Sequence, residues 1–220
     1  MLRTKSSLLL LATILASSLH AQPVVYKSKR YIHPVLPRFE FTLGGTQVSA
    51  DSAEIASITI VRGMERQPHQ TIDKFSAVLP LSWGDYGLRV EDVNMDLYND
   101  ILLPKGDTTE TFFVWTYDKA TEYYARDTAY EKMPNVEIRR EEKTLVSERR
   151  EPNGDLIVER YAVENGEPVP LRREVTINTG TSFEIHIYEW NGEEFELREV
   201  VAPEQSDTNA TPSDSVGTDR

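Results

Sequence analysis

An all-β chain built from antiparallel hairpins is predicted, and three features of the sequence carry the prediction. Apolar and polar residues alternate over short segments from Phe39 onward, the period of a half-buried strand. Three Asn-Gly pairs, Asn153-Gly154, Asn165-Gly166 and Asn191-Gly192, stand between such segments. Asn and Gly tolerate the positive φ that the tightest hairpin turns require at both central positions. Helical periodicity is almost absent.

Residues 1–21 read as an export signal. Arg3 and Lys5 supply a positive start, Leu8 to Leu15 a short apolar stretch, and Ser17 to Ala21 a cleavage region. That stretch is too short to span a bilayer, and no later one is long enough. The chain has no cysteine, which leaves no lipid-attachment site, disulfide or thiol nucleophile. A periplasmic or secreted protein is expected, large enough to bury a core unaided.

Residues 22–37, with Pro23, Pro34 and Pro37 at their margins, read as a linker or edge strand. Phe39 to Leu43 alternates and is expected to stop at Gly44-Gly45. Ile55 to Val61, Gln70 to Ile72 and Leu88 to Val90 follow as strands. Thr111 to Tyr117 is apolar on both faces, with Phe113, Trp115 and Tyr117 on one and Phe112 and Val114 on the other. Such a strand belongs in the interior of the sheet system. Asp118 to Thr121 turns it back through Tyr123 and Tyr124, and one helical turn fits between Asp127 and Met133, before Pro134.

The second half reads as ribbons. Leu145 to Glu151 turns at Asn153-Gly154 into Leu156 to Val163, and Asn165-Gly166 leads into Val169 to Ile177. Phe183 to Trp190 turns at Asn191-Gly192 into Phe195 to Val200. One all-β domain over 38–201 follows, and the Ser, Thr, Asp and Asn of 202–220 are expected to be disordered. Tyr161 to Arg172 and Tyr188 to Arg198 share an aromatic, turn and alternation layout. Repeated units of this kind suit a small propeller-like arrangement, with a β-sandwich or barrel as alternatives. Hairpin chemistry without common descent explains the likeness equally well.

The formal charge is −12, and loss of Arg3 and Lys5 with the signal makes it −14. Nucleic acid is therefore an unsuitable partner, since phosphate binding needs clustered Lys and Arg. Anionic membrane surfaces are disfavoured on the same ground. A basic partner protein or a cation is favoured.

The most specific feature is Asp92-Val-Asn94-Met-Asp96-Leu-Tyr98-Asn-Asp100, followed by Ile101, Leu102 and Leu103. Side-chain oxygens fall at relative positions 1, 3, 5 and 9, and the Tyr98 carbonyl is available at position 7. Calcium takes six to eight oxygens in irregular geometry, whereas zinc prefers nitrogen or sulfur. Position 6 is usually glycine because the chain turns sharply there, but here it is Leu97. An Asp/Asn-rich turn that hydrogen-bonds its own backbone is the competing reading.

No catalytic set emerges. His20 leaves with the signal, His33 and His69 lie beside prolines, and His186 alternates within a strand. Nucleophile elbows, phosphate-cradling glycine loops and zinc spacings are missing. Glu141-Glu142 and Glu193-Glu194 are adjacent, and neighbours in a strand point to opposite faces, so neither pair flanks one glycosidic bond. The alternating charges of Arg139 to Lys143 and Glu148 to Glu151 read as exposed ribbons. Trp83, Trp115 and Trp190 read as core rather than as platforms for sugar rings.

Gln70-Thr-Ile72, the run from Val90 to Ile101, the strand ending Trp115-Thr-Tyr117-Asp118-Lys-Ala-Thr121, and the late Tyr188-Glu-Trp190-Asn191-Gly192 with Phe195 and Leu197 form one set. Together they resemble a family of bacterial periplasmic calcium-binding proteins. Its best-known members are immunity proteins against peptidoglycan hydrolases delivered by type IV secretion, and they carry an integrin-like (FG-GAP-type) calcium loop. The resemblance spans about residues 55 to 201. It implies a propeller-like all-β fold and a cation site at Asp92, Asn94, Asp96 and Asp100 with the Tyr98 carbonyl. It also implies inhibition of a lysozyme-like enzyme by occlusion of its cleft. Leu97 departs from the expected glycine, and Lys105 to Thr109 is poorer in Gly and Asn than in relatives. No inhibitory residue matches one by one.

The expected function is thus a non-enzymatic, calcium-binding protein that acts by contact with a protein such as a basic peptidoglycan hydrolase. A carbohydrate-binding or adhesion module of the cell envelope is the alternative.

Overall fold

The structure, a computed structural model, describes residues 22–108, 110–180 and 182–202. The segment read as an export signal, and the tail read as disordered beyond its first residue, lie outside the described residues.

Fifteen strands make up three antiparallel sheets among the described residues, with a single 3₁₀ turn at Tyr130–Lys132. The first sheet orders β1 (Pro23–Arg30), β2 (Phe39–Gln47), β3 (Ser52–Arg62) and β4 (Gln70–Ile72), and β5 (Ala77–Pro80) also pairs with β3. The second runs β6 (Arg89–Glu91), β7 (Asp100–Pro104), β8 (Phe112–Asp118) and β9 (Tyr123–Arg126). The third runs β10 (Glu137–Arg139), β11 (Thr144–Arg150), β12 (Leu156–Glu164), β13 (Glu167–Asn178), β14 (Phe183–Trp190) and β15 (Phe195–Val201). The all-β, antiparallel class holds, and among the described residues no sheet closes into a barrel.

Period-2 alternation decides what each face touches. Ile101 and Leu103 of β7, with Trp115 and Tyr117 of β8, pack against Phe39, Phe41, Leu43, Ile58 and Ile60 of the first sheet. Leu102 and Val114 point the other way, toward Val93, Tyr130, Met133, Val136 and Leu145. Phe113 joins the first cluster and Phe112 the second, the division the β8 sequence prescribes. The second sheet is therefore a middle layer, and sandwich-like packing describes the molecule better than a ring of blades. Gln70 reinforces the seam: its side chain donates to the Tyr124 carbonyl and accepts from the Tyr124 amide, each at 2.8 Å.

Several local expectations need correction. Gly44-Gly45 does not end β2. The ladder shifts register there, and a Cβ on Gly45 would lie 2.1 Å from the Glu54 carbonyl oxygen, so the glycines form a bulge. Of the three Asn-Gly pairs only Asn165-Gly166 has positive φ at both positions (53° and 80°). At the other two the glycine alone is left-handed. Of the tryptophans Trp115 is core, while Trp190 is half-buried and Trp83 is exposed.

Candidate metal loop and the cleft beside it

The β6–β7 ladder pairs Glu91 with Asp100, so residues 92–99 form a loop whose two ends are already neighbours. Within it Met95 (φ 59°) and Leu97 (φ 77°) take the left-handed conformation. Leu97 thus adopts at position 6 the backbone a glycine would, with its side chain 74% exposed. A non-Gly residue held there is strained, and the surrounding hydrogen bonds must impose it.

Those bonds come from the acidic side chains. Asp92 accepts from the amides of Asp96 (Oδ1, 3.0 Å) and Leu97 (Oδ2, 3.0 Å). Asn94 Oδ1 also accepts from the Asp96 amide at 3.2 Å, while its Nδ2 donates to Asp96 Oδ2 at 3.2 Å. Asp96 Oδ1 accepts from the Tyr98 amide at 2.8 Å. Asp100 is fully buried: Oδ2 accepts from the amides of Val93 (2.9 Å) and Asn94 (3.4 Å), and Oδ1 from Tyr117 of β8 (2.9 Å). It ties the loop to the middle sheet.

The Tyr98 ring stacks between His33 (4.4 Å between centroids) and Tyr117 (5.4 Å). Burial pushes the Asp92 carboxyl above its ordinary range, against the Leu97 and Asp96 amides. Burial likewise pushes Asp100 up to about 7, against the amides of Tyr117 and Val93. Both sites favour a charge-neutralising group.

The structure places Asp92, Asn94 and Asp96 along one loop, each already sharing a hydrogen bond within it. Asp100 stands behind them as an anchor. Among the described residues no three His, Cys, Asp or Glu side chains converge closely enough to hold a metal as they stand. Alternate oxygens and a left-handed turn at position 6 fit calcium in kind, so binding would require the side chains to turn from the loop amides toward a common centre.

A cleft of 1310 Å³ lies beside the loop. One wall is Asp92, Asn94, Met95, Asp96 and Leu97; another is Tyr31 to Pro34, from the β1–β2 connection. The third is built by two turns of the last sheet, carrying Arg140 and Lys143 and then Val163, Asn165 and Gly166. Asn99 donates its amide to the Ile32 carbonyl (2.8 Å) and its Nδ2 to the Tyr31 carbonyl (3.0 Å). The Tyr130 hydroxyl donates to the Gly166 carbonyl at 2.8 Å. The walls are thereby fixed to the core. Nothing in the sequence pattern signalled this cleft, because its parts are far apart in the chain.

The remaining candidates are dispersed. His69 stacks on Tyr123 (4.8 Å) and lies 2.8 Å from the Glu122 carbonyl, and His186 lies beside Glu184. Glu141-Glu142 and Glu193-Glu194 sit in turns rather than strands, so the opposite-face argument against them does not apply as framed. A group missed by sequence reasoning is Glu159 of β12, which is buried on a largely half-exposed ribbon. It accepts from Arg173 Nε (2.6 Å), Arg149 (3.2 Å) and the Tyr161 hydroxyl (2.7 Å). Burial raises its carboxyl, but Tyr161, Arg173 and Arg149 outweigh that and hold it low. Alternating Arg and Glu along three adjacent strands was the only signal.

No protein-family model matches the chain, and no curated protein does. A solved structure described as a Xanthomonas type IV secretion system related protein is similar in fold. Its TM-score is 0.59 at 10% identity, over 80% of this chain and 99% of the other. At that identity the likeness shows the fold alone. Among the described residues no helix is long and apolar enough to cross a membrane.

Proposed function

We propose that this is an exported, non-enzymatic protein that binds one calcium ion in the Asp92–Asp100 loop. In this reading it works by contact with a protein, as an inhibitor or immunity protein against a cell-wall hydrolase. The observation that carries it is Leu97. A leucine in left-handed conformation at position 6, with oxygens at positions 1, 3 and 5 on the inner side, is the backbone path of a cation loop.

Asp92, Asn94 and Asp96 would hold the ion with the Tyr98 carbonyl, and Asp100 would fix the loop against β8. The ion supplies positive charge at a place where two carboxyls are pushed up by burial. The likeness in fold to a type IV secretion related protein supports a cell-envelope setting. The net charge, −12 for the whole sequence and −14 without residues 1–21, suits a basic partner.

The test is thermal unfolding in calcium and in EGTA, for the parent chain and for Asp96→Ala. A higher midpoint in calcium, lost in the variant, is the expected outcome. Identical curves in calcium and EGTA for the parent chain would refute the calcium assignment.

A further inference from the structure

We propose that the cleft beside the Asp92 loop is the contact site itself, and that it receives an acidic, partly apolar polypeptide segment of the partner. The inference rests on the contact reading above and names the chemistry of that contact. It begins with hydrogen-bonding capacity. On the loop wall each oxygen of Asp92 and of Asp96 already holds one donor of the loop. Across the cleft, Arg140 and Lys143 are exposed, and their side chains make no hydrogen bond or ion pair with the described residues. Arg140 already acts electrostatically on Asp92 across the cleft; once the loop carboxylates are drawn onto a calcium ion, as the reading above has it, Arg140 and Lys143 are the donors left to a partner, and the group that complements them is a carboxylate.

The same cleft shows apolar surface. Leu97 is 74% exposed, Tyr31 is 56% exposed, and Ile32, Met95 and Val163 line the space between them. Exposed apolar side chains beside unpaired cations suit a segment that alternates acidic and apolar residues. Size points the same way. The volume of 1310 Å³ exceeds the roughly 300–1,000 Å³ of small-molecule sites. The walls are already held by Asn99 and Tyr130, so little ordering opposes binding.

Calcium and the segment should reinforce each other. A divalent ion held by Asp92 and Asp96 offsets their charge and leaves Arg140 and Lys143 to set the sign of the cleft. By reciprocity the bound segment then tightens calcium. A partner that is basic overall is compatible with this, because net charge steers encounter while the inserted segment is read locally.

The experiment is fluorescence anisotropy of the full chain with a labelled hexapeptide alternating Asp and Leu, in calcium and in EGTA. Twins with Asn or Lys in place of Asp serve as comparisons, and inorganic phosphate serves as a competitor. The Asp peptide should bind about tenfold tighter than its Asn twin. R140E/K143E should abolish that advantage, whereas R66E/K132E, equal in charge change but outside the cleft, should keep it. Both double variants alter exposed side chains, and an unchanged melting midpoint confirms that each folds. The proposal is overturned if the Asp peptide does not bind, if the Lys twin binds best, or if R140E/K143E binds undiminished. It is also overturned if phosphate displaces the probe as well as unlabelled peptide does. Calcium binding without peptide binding removes the cleft assignment and leaves the loop. Peptide binding that depends on Arg140 and Lys143 but ignores calcium leaves the cleft and removes the loop.

Discussion

Strands β7 and β14 both carry large apolar residues, yet they end in opposite surroundings. Asp100 to Leu103 of β7 are all buried, because the first sheet covers one face and the β11 region covers the other. Phe183 to Trp190 of β14 contain no buried residue, and neither do β13 or β15. In β12 the buried residue is charged: Glu159, held by Arg149, Arg173 and Tyr161. Alternation specifies that a strand forms; a second element across the face decides whether its apolar side is covered. The first two sheets supply covers for each other, while the ribbon from β12 to β15, beyond the Tyr161 and Val163 that reach the second cluster, relies on cross-strand pairs and ionic contacts such as the Glu159 cluster.

The contrast can be broken most severely at the loop. Asp100→Ala would strand the amides of Val93, Asn94 and Tyr117 in the interior and should cost about 3–5 kcal/mol. Denaturant unfolding measures this, and a loss below about 1 kcal/mol would show that Asp100 is not the anchor described. Next, Leu103→Ala in the covered sheet should cost about 2–5 kcal/mol, whereas Ile187→Ala on the ribbon should cost clearly less, about 1 kcal/mol. Equal losses would mean that the ribbon is covered after all. Glu159→Gln weakens a charge-assisted cluster and should cost about 1–3 kcal/mol, with a steeper salt dependence in the parent than in the variant.

The remaining effect is on pH. Asp100 is held up to about 7 by burial, so the calcium-free folded state keeps a proton that the unfolded chain has released. Its stability should therefore fall as pH rises from about 5 to about 8, a window above the range where low-pKa carboxylates such as Glu159 titrate. Asp100→Asn should flatten that slope. A stability that rises across this window in the parent chain would contradict the assignment.

How much was legible in the sequence follows the same division. Strands bounded by a clear turn, such as β8, β12 and β14, stand within a residue or two of where they were read. Strand β5 was invisible: it is four residues long, ends in Pro80, and exists because β3 offers it an edge. The two faces of β8 could be assigned because Phe113, Trp115 and Tyr117 differ in bulk from Phe112 and Val114. The loop was legible as oxygen spacing, and Leu97 stood out as a departure from it. Its left-handed backbone could not be foreseen, since it depends on the Asp92 carboxylate seizing the Leu97 amide. The role of Asp100 was hidden for a similar reason: its partner Tyr117 lies on another strand. Lone motifs report local chemistry, and contacts made by distant turns, such as the cleft, leave no trace in any one segment.

The claim beneath all of this is that the Asp92 loop takes up a calcium ion. Isothermal titration of calcium into chelator-stripped protein addresses it without intermediaries. One site should appear, with a dissociation constant as weak as about 10⁻⁴–10⁻³ M and with its heat lost in Asp92→Ala. A flat titration for the parent chain at millimolar calcium would contradict the account, leaving a tightly hydrogen-bonded turn in its place.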